Sequence, residues 1–452
     1  MTTKFAVALL LVLSAATHLV WLTAPREVVF DEVHFGKFVT AYCCTGERFF
    51  DIHPPHAKLL IAGVAYLGGF RGGMLFETIG EPYGEVSPLA LRLFPALTGV
   101  LLPVVFFLLL RELGARPGAA LAGGLIIIFD NALLVQTRIV SLDGLLLLAI
   151  FASLLVAVRL PHVVTQSRRW WLQSLFAGCL AGLAVGVKFT GLVAPGLLSL
   201  LWLWHLLQLR HAAQVRRWIL VGLLGVVAAG VVYLGGWVLH FALLTEPGSG
   251  DAWRVPVFEG NLLGSFWRET VALHRLMLDA NYNLPAGHPD ASSWWEWPLM
   301  RTSVFYWQSL QADSGRVAGI YLLGNPAVWW GSTMLLVLFL LDVPRLWRER
   351  RLRFLALPIV GYVVSYAPLM RVPRALFLYH YLTPLLFAWL LIILWLGHCG
   401  YFVRQELRRQ HWSYYAGLGL LILLFLVFSP LTYGLLLPPT LADNLFWLST
   451  WR

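Results

Sequence analysis

The sequence predicts an all-α polytopic membrane protein, and three observations carry that prediction. The first is composition. Of 452 residues, 59% are hydrophobic and only 12% are charged, against roughly 45–50% and about 25% in soluble domains. The second is patterning: apolar runs near the ~20 residues that cross a bilayer recur from end to end. The third is charge placement, with short Arg-rich connections alternating with two long segments that hold most of the acids. So little charge does not cover a soluble globule of 50.7 kDa. A cytosolic enzyme, a disordered chain and a small disulfide-stapled domain are set aside on that ground.

The runs are 5–23, 88–110, 118–136, 142–159, 171–187, 189–208, 217–244, 326–342, 354–370, 376–397 and 413–436, about eleven in all. The division around Lys188 stays open between two helices and one long kinked helix. Lys4 ahead of the first run resembles the start of a signal peptide. Its apolar part is too long and no small-x-small site follows, so it is read as a retained helix.

Loop charge orients these runs. The stretches RELGAR (111–116), RLPHVVTQSRR (159–169), LRHAAQVRR (209–217), RLWRERRLR (345–353) and RQELRR (404–409) are short and basic, so the positive-inside rule places them in the cytoplasm. Segments 24–87 and 245–325 then lie outside, the N-terminus inside and the C-terminus outside. The formal charge of +10 thus concerns topology and not nucleic acid. Cys43, Cys44, Cys179 and Cys399 show neither CxxC nor His-rich spacing, which supports neither a zinc site nor a disulfide framework.

A transporter is expected to have short loops, internal repeats and midmembrane charges. Here the halves show no repeat and the unusual polar residues gather at one face. That pattern suits an enzyme acting on something delivered at the outer surface.

The first outer loop opens Phe30-Asp31-Glu32-Val33-His34-Phe35-Gly36-Lys37-Phe38. Taken alone, the Asp-Glu pair is a solvated loop start with Asp31 as a helix N-cap. Among aromatics, with His34 and Lys37 at helical spacing, a carboxylate in a partly dry site fits a general base. Further on, His53-Pro54-Pro55-His56-Ala57-Lys58 fixes an extended turn and sets His53 and Lys58 near the membrane surface. Asp130, Arg138 and Asp143 cluster at the outer turn of the third and fourth runs, where an unpaired Asp would be costly. Lys188, and Arg371 and Arg374 around Pro373, add cations at the same edge, followed by Tyr379 and His380. Each alone reads as a snorkelling side chain. Together they are cations on the side that positive-inside topology disfavours, and a lipid-linked phosphate fits them, Arg as a fork and Lys as a point charge. In the second outer loop His288, Asp290 and Glu296 mix with Trp294, Trp295 and Trp297. That density is either an interfacial belt or a stacking wall for a sugar.

At this point the chain resembles the protein O-mannosyltransferases, which are GT-C glycosyltransferases. Asp31-Glu32-x-His34-Phe35, Phe50-Asp51-x-His53-Pro54-Pro55-x-x-Lys58, Asp130-Asn131…Arg138…Asp143, His288…Trp297-Pro298 and Leu378-Tyr379-His380-Tyr381 occur in the family's order. The resemblance covers nearly the whole chain. It implies one GT-C transmembrane domain over 1–452, a polyprenyl- or dolichyl-phosphate-mannose donor, a Ser or Thr acceptor and inversion at the anomeric carbon. Asp31 would be the base and Glu32 would support placement. Arg138 would hold the donor phosphate or the loop architecture around it, and Lys188, Arg371, Arg374 and His380 would join it at the donor phosphate. His34, His53, Lys58, Asp130, Asp143, His288, Trp297 and Tyr379 would line the substrate site, with no metal and no cofactor.

The partners implied are the lipid-linked donor, an acceptor polypeptide and membrane lipids, with no nucleic acid. The location implied is a bacterial plasma membrane with its site on the periplasmic or extracellular side. The second outer loop is too short for the MIR domain of the eukaryotic enzymes, which points to a prokaryotic form. His56-Ala57 replaces the commoner Leu-Gly, and Cys43-Cys44 is unusual. The competing readings are a related GT-C enzyme moving another lipid-linked sugar onto a glycan or lipid, a transporter, and a non-catalytic scaffold.

Overall fold

Backbone groups in a bilayer find no water, so long runs of Leu, Ala and Val close as helices that satisfy every N–H and C=O within the chain. The computed structural model describes residues 2–283, 287–311, 315–401 and 407–452. In chain order the helices are α1 (Thr3–Leu19), α2 (Glu32–Thr40), α3 (His56–Leu67), α4 (Pro88–Glu112), α5 (Pro117–Ile128), α6 (Asn131–Arg138), α7 (Asp143–Arg159) and α8 (Arg168–Val187). They continue as α9 (Val193–Leu206), α10 (Ala212–Leu243), α11 (Ser265–Asn283), α12 (Pro326–Arg348), α13 (Ala356–Tyr366), α14 (Leu382–His398), α15 (Leu407–Tyr433) and α16 (Pro439–Asn444).

Among the described residues nine helices are long and apolar enough to cross a membrane. The pair α5 and α6, bent by 58°, would make a tenth. The run 5–23 becomes α1, a shorter apolar helix of 17 residues. Each apolar run of the sequence therefore lands on a helix, but fewer than eleven meet the length for a straight span. The bend has a local cause, because Asp130 caps α6 with its side chain on Leu133 N and starts a new helix axis. Lys188 settles the open division. It is extended, at φ −149° and ψ 151°, and breaks the run into α8 and α9 around a short 3-10 turn. Part of the basic stretch 404–409, residues 404–406, lies outside the described residues.

Helix packing follows from small residues. Gly178, Gly182 and Gly186 recur every fourth position along one face of α8, the spacing that lets membrane helices approach closely. A Cβ at Gly178 would stand 2.1 Å from the Gly225 carbonyl oxygen of α10, and one at Gly182 would stand 2.3 Å from that of Ala229. At Gly186 the space is taken by the imidazole of His56, which donates from Nε2 to the Val232 carbonyl at 2.8 Å and so ties α3 to the α8–α10 pair. Because the carbonyl can only accept, Nε2 of His56 carries the proton. Helix α14 is central, with Leu382 through Trp395 all buried.

Two features depart from expectation. Strands β1 (Val304–Gln311) and β2 (Arg316–Leu322) pair antiparallel, Val304 opposite Leu322, within the second polar segment. Alternating exposure along β2 is the period-2 pattern of a half-buried strand, hidden in sequence by the surrounding aromatics. Also, Cys43 and Cys44 are joined by a disulfide. The spacing of the cysteines gave no sign of this bond, which joins neighbours, closes no long loop and is no framework.

Candidate active site

The site forms where the ends of α2, α4, α7, α8 and α14 meet β1. Chain entry into α2 sets its shape. Phe30 has a positive φ of 44°, uncommon for a bulky residue. It is held there by its N–H donating to the Tyr306 carbonyl at 3.0 Å and by its ring stacked on Tyr306 at 4.2 Å and 7°. Asp31 follows as the residue before α2, without a side-chain capping bond.

The two adjacent carboxylates have opposite surroundings. Glu32 is fully buried. Its oxygens accept from Val29 N at 2.9 Å, Val140 N at 3.1 Å, the Tyr83 hydroxyl at 3.1 Å, and Arg92 through Nε at 2.7 Å and NH2 at 2.8 Å. Arg92 in turn donates to the carbonyls of Pro25 and Glu27. Glu32 therefore has no lone pair left for a substrate; it fastens the first polar segment to α4 and to the α6–α7 turn. Asp31 is half-buried, and no described residue donates a hydrogen bond to its carboxylate. Burial pushes the Asp31 carboxyl up to about 7; the Lys188 charge pulls it down, and Asp143 and Asp51 push it further up.

A second network runs beside Asp31. Lys188 Nζ donates to Asp143 Oδ1 at 2.7 Å, Gln136 Nε2 to Asp143 Oδ2 at 2.6 Å, and the Tyr306 hydroxyl to Gln136 Oε1. The Lys188 ammonium stands 5.4 Å from the centre of the Tyr379 ring. Tyr379 stacks on His380 at 4.7 Å and Phe377 at 5.4 Å, and His380 stacks on buried Trp297 at 6.1 Å. An aromatic wall thus joins the Asp31 side to the cations.

On the other flank, Lys58 donates to Asp51 and to the His53 carbonyl at 2.7 Å, with its ammonium 5.5 and 5.7 Å from the centres of the stacked Phe38 and Phe49 rings. Burial lowers the Lys58 pKa, against the pull of Asp51. His53 is held well below the usual imidazole range by burial first, then by Lys188, Arg374, Lys58 and His380. It is a neutral ring among cations. Burial also lowers His34, which sits on the exposed side of α2. Arg374 Nε donates to Asn281 Oδ1 at 2.9 Å.

The structure brings Asp31, His53, Lys58, Asp143, Lys188, Arg374, Tyr379, His380 and Trp297 into one neighbourhood, and it separates others. Arg138 donates to the carbonyls of Thr17 and His18 at 2.9 and 2.8 Å and lies 4.6 Å from the Tyr433 ring. It closes the C-terminal end of α1, where carbonyls lack partners. Asp130 is fully buried and accepts from Leu133 N, Asn325 N and Trp329 Nε1, which makes it a joint between α6 and α12 and leaves no room for substrate. Arg371 is exposed at the end of a short 3-10 turn. His288 is exposed, accepts from Asp290 N at Nδ1 and packs edge-on against Phe377 at 5.0 Å.

Sequence reasoning missed Arg92, Gln136 and Tyr306. A lone Arg four residues into the run 88–110 carried a signal, because a cation in an apolar helix needs a partner. Gln136 and Tyr306 carried none, since their roles depend on β1 folding across the α6–α7 turn.

The family profile described as dolichyl-phosphate-mannose-protein mannosyltransferase matches residues 8–245. The C-terminal four-transmembrane region of protein-O-mannosyltransferase matches 266–451. Dolichyl-phosphate-mannose–protein mannosyltransferase 4 of Schizosaccharomyces pombe is 36% identical over 271 residues, 57% of this chain and 35% of that protein. Protein O-mannosyltransferase 1 of Drosophila melanogaster is 36% identical over 265 residues, 56% of this chain and 30% of that protein. The matched stretch thus spans about a third of those relatives' own length.

In structure, the chain superimposes on the Saccharomyces cerevisiae protein O-mannosyltransferase Pmt1-Pmt2 complex bound to the sugar donor with a TM-score of 0.90. Identity there is 20%, covering 100% of this chain and 93% of that one. ArnT from Cupriavidus metallidurans bound to undecaprenyl phosphate gives 0.52 at 17% identity, over 94% of this chain and 71% of that one. These likenesses give the GT-C membrane fold. With two family profiles spanning most of its length, the chain belongs to the protein O-mannosyltransferase family.

Proposed function

We propose that the chain transfers mannose from a polyprenyl-phosphate-mannose donor to Ser or Thr hydroxyls of polypeptides, with inversion, and that Asp31 is the base. One observation carries the reading: next to a fully bonded Glu32, Asp31 is the carboxylate left without a donor, half-buried beside Lys188, and held near 7. A base with that pKa is half ionised at neutral pH and still strong enough to take a hydroxyl proton. The acceptor oxygen attacks the anomeric carbon as its proton passes to Asp31. The bond from that carbon to the phosphate oxygen breaks, and the electron pair leaves with the lipid phosphate. Lys188 and Arg374 meet the charge gathering on that oxygen, an interaction stronger in the transition state than before it.

The donor and acceptor follow the names of the family and of the relatives. The basic connections at the opposite ends of the helices support a site on the non-cytoplasmic side, and we take the membrane to be a bacterial plasma membrane.

The test uses the purified full chain with synthetic polyprenyl-phosphate-mannose and a Ser/Thr peptide. Asp31→Asn is expected to lower turnover about 10²–10⁴-fold while the donor still binds. Near wild-type turnover in Asp31→Asn overturns the base assignment. Donor cleavage with no mannosyl-peptide, but with sugar on a lipid or glycan, favours the related GT-C reaction.

A further inference from the structure

Helix α11 presents two apolar faces, and only one has a protein partner. Phe266, Leu273 and Met277 are buried against Trp237 and Phe241 of α10. On the opposite side Trp267, Val271, Leu278 and Tyr282 are exposed, Leu278 at 52% and Tyr282 at 66%. At 100° per residue these four fall within about 60° of one another. Arg268 and Arg275, both exposed, stand on one edge of this stripe.

The depth of α11 decides what covers that stripe. His274 Nδ1 donates to the Thr270 carbonyl at 2.7 Å, so Nε2 accepts from the Tyr233 hydroxyl of α10 at 2.5 Å. Arg216 and Arg217, exposed near the start of α10, mark the polar boundary on the side away from Asp31. Tyr233 stands about 24 Å along α10 from Arg217 at 1.5 Å per residue. A hydrocarbon core is about 30 Å thick, so Tyr233 is still inside it, and any tilt of α10 lowers it further. The middle of α11, bonded to Tyr233, is therefore level with the leaflet on the Asp31 side. Val231, Val238 and Leu239 of α10, within six residues of Tyr233, are likewise apolar and exposed.

We propose that α11 is an interfacial helix embedded in the site-side leaflet, with its Trp267–Val271–Leu278 stripe against acyl chains and Arg275 at lipid phosphates, while Arg268 on the same edge pairs with Glu269 at 2.9 Å and Glu259 at 3.7 Å. Trp, Leu and Arg in that division are the composition of helices lying in a membrane plane. The far end of the same helix carries Asn281, which holds Arg374. The leaflet and the donor-side cation are thus joined through a single rigid element. The proposal rests on depth and packing, and stands whether or not the transfer reaction is as proposed.

The test places a nitroxide at Trp267→Cys, Val271→Cys or Leu278→Cys, one at a time, in the full chain carrying Cys179→Ser and Cys399→Ser. The protein is held in nanodiscs of phosphatidylcholine and phosphatidylglycerol, with Glu259→Cys as the water-facing reference. Oxygen, which concentrates in lipid, is expected to relax the three labels several-fold more than a water-soluble nickel chelate, with the order reversed at 259. Nickel accessibility equal to that at 259 overturns the proposal, because the stripe then faces water. Shielding from both relaxants overturns it too, because protein, such as a second copy, then covers the stripe. Three independent positions keep the test intact if one variant fails to fold.

Discussion

Arg92 of α4 grips Glu32 at two points, Nε to Oε1 at 2.7 Å and NH2 to Oε2 at 2.8 Å, with both side chains buried. This pair does no chemistry; it fixes the backbone that presents Asp31. Removing one partner of a buried pair leaves a bare charge and costs about 3–5 kcal/mol. Arg92→Met should lower stability by that amount, read from thermal unfolding in detergent. A loss under about 1 kcal/mol, the level of an exposed pair, would show that Glu32 is held by its other partners alone.

The Asp31 carboxyl, held up to about 7 by burial, sets a pH dependence. Below about 7, kcat/KM should fall tenfold per pH unit as the base is protonated. Lys188 pulls that pKa down and Asp143 pushes it up. Lys188→Met removes the first and leaves the second unopposed, so the acid limb should move to higher pH. A limb unmoved by Lys188→Met would mean that the titrating group is not Asp31.

The same shift predicts a stability effect of opposite sign to that of Arg92→Met. Asp31 binds a proton more tightly folded than unfolded, so the wild type loses stability as pH rises from about 4 to about 7. Asp31→Asn does not titrate. It should melt higher than wild type at pH 8, with the advantage closing towards pH 4. A lower melting temperature at pH 8 would contradict the burial cost assigned to Asp31.

Tyr306→Phe keeps the ring stacked on Phe30 and deletes the hydroxyl that orients Gln136, and through it Asp143 and Lys188. Turnover should drop about tenfold, or ~1.4 kcal/mol, with little change in melting temperature. Unchanged turnover would show that Lys188 is positioned by Asp143 without the rest of the chain.

Close helix approach gives a further prediction. Gly182→Val puts a side chain where a Cβ already meets the Ala229 backbone oxygen at 2.3 Å, so it should cost about 1–3 kcal/mol or more. Gly196→Ala points into open space and should change stability by less than about 0.5 kcal/mol. Thermal unfolding of both variants separates a packing requirement at α8–α10 from a general dislike of added methyl groups.

Much of this was legible in the sequence, because spanning helices are a local property. A run of about 20 apolar residues closes its own hydrogen bonds wherever it lies, so every run became a helix. The break at Lys188 and the position of Asp31 ahead of α2 were likewise foreshadowed, by a lone cation and by an Asp-Glu pair beside a hydrophobic run. Order and spacing of the motifs named the family. The sequence could not tell which charged residue answers to which. Asp31 and Glu32 are adjacent and chemically alike, and only the arrival of Arg92, Tyr83 and Val140 from distant segments saturates one and leaves the other free. Asp130, Arg138 and Asp143 looked like one cluster, with Lys188 a separate cation at the same edge. Folding sent Arg138 to the end of α1 and Asp130 to α12, and it set Asp143 and Lys188 beside Asp31. Composition and periodicity are fixed along the chain, whereas the charge state and free lone pairs of a side chain depend on what packs against it.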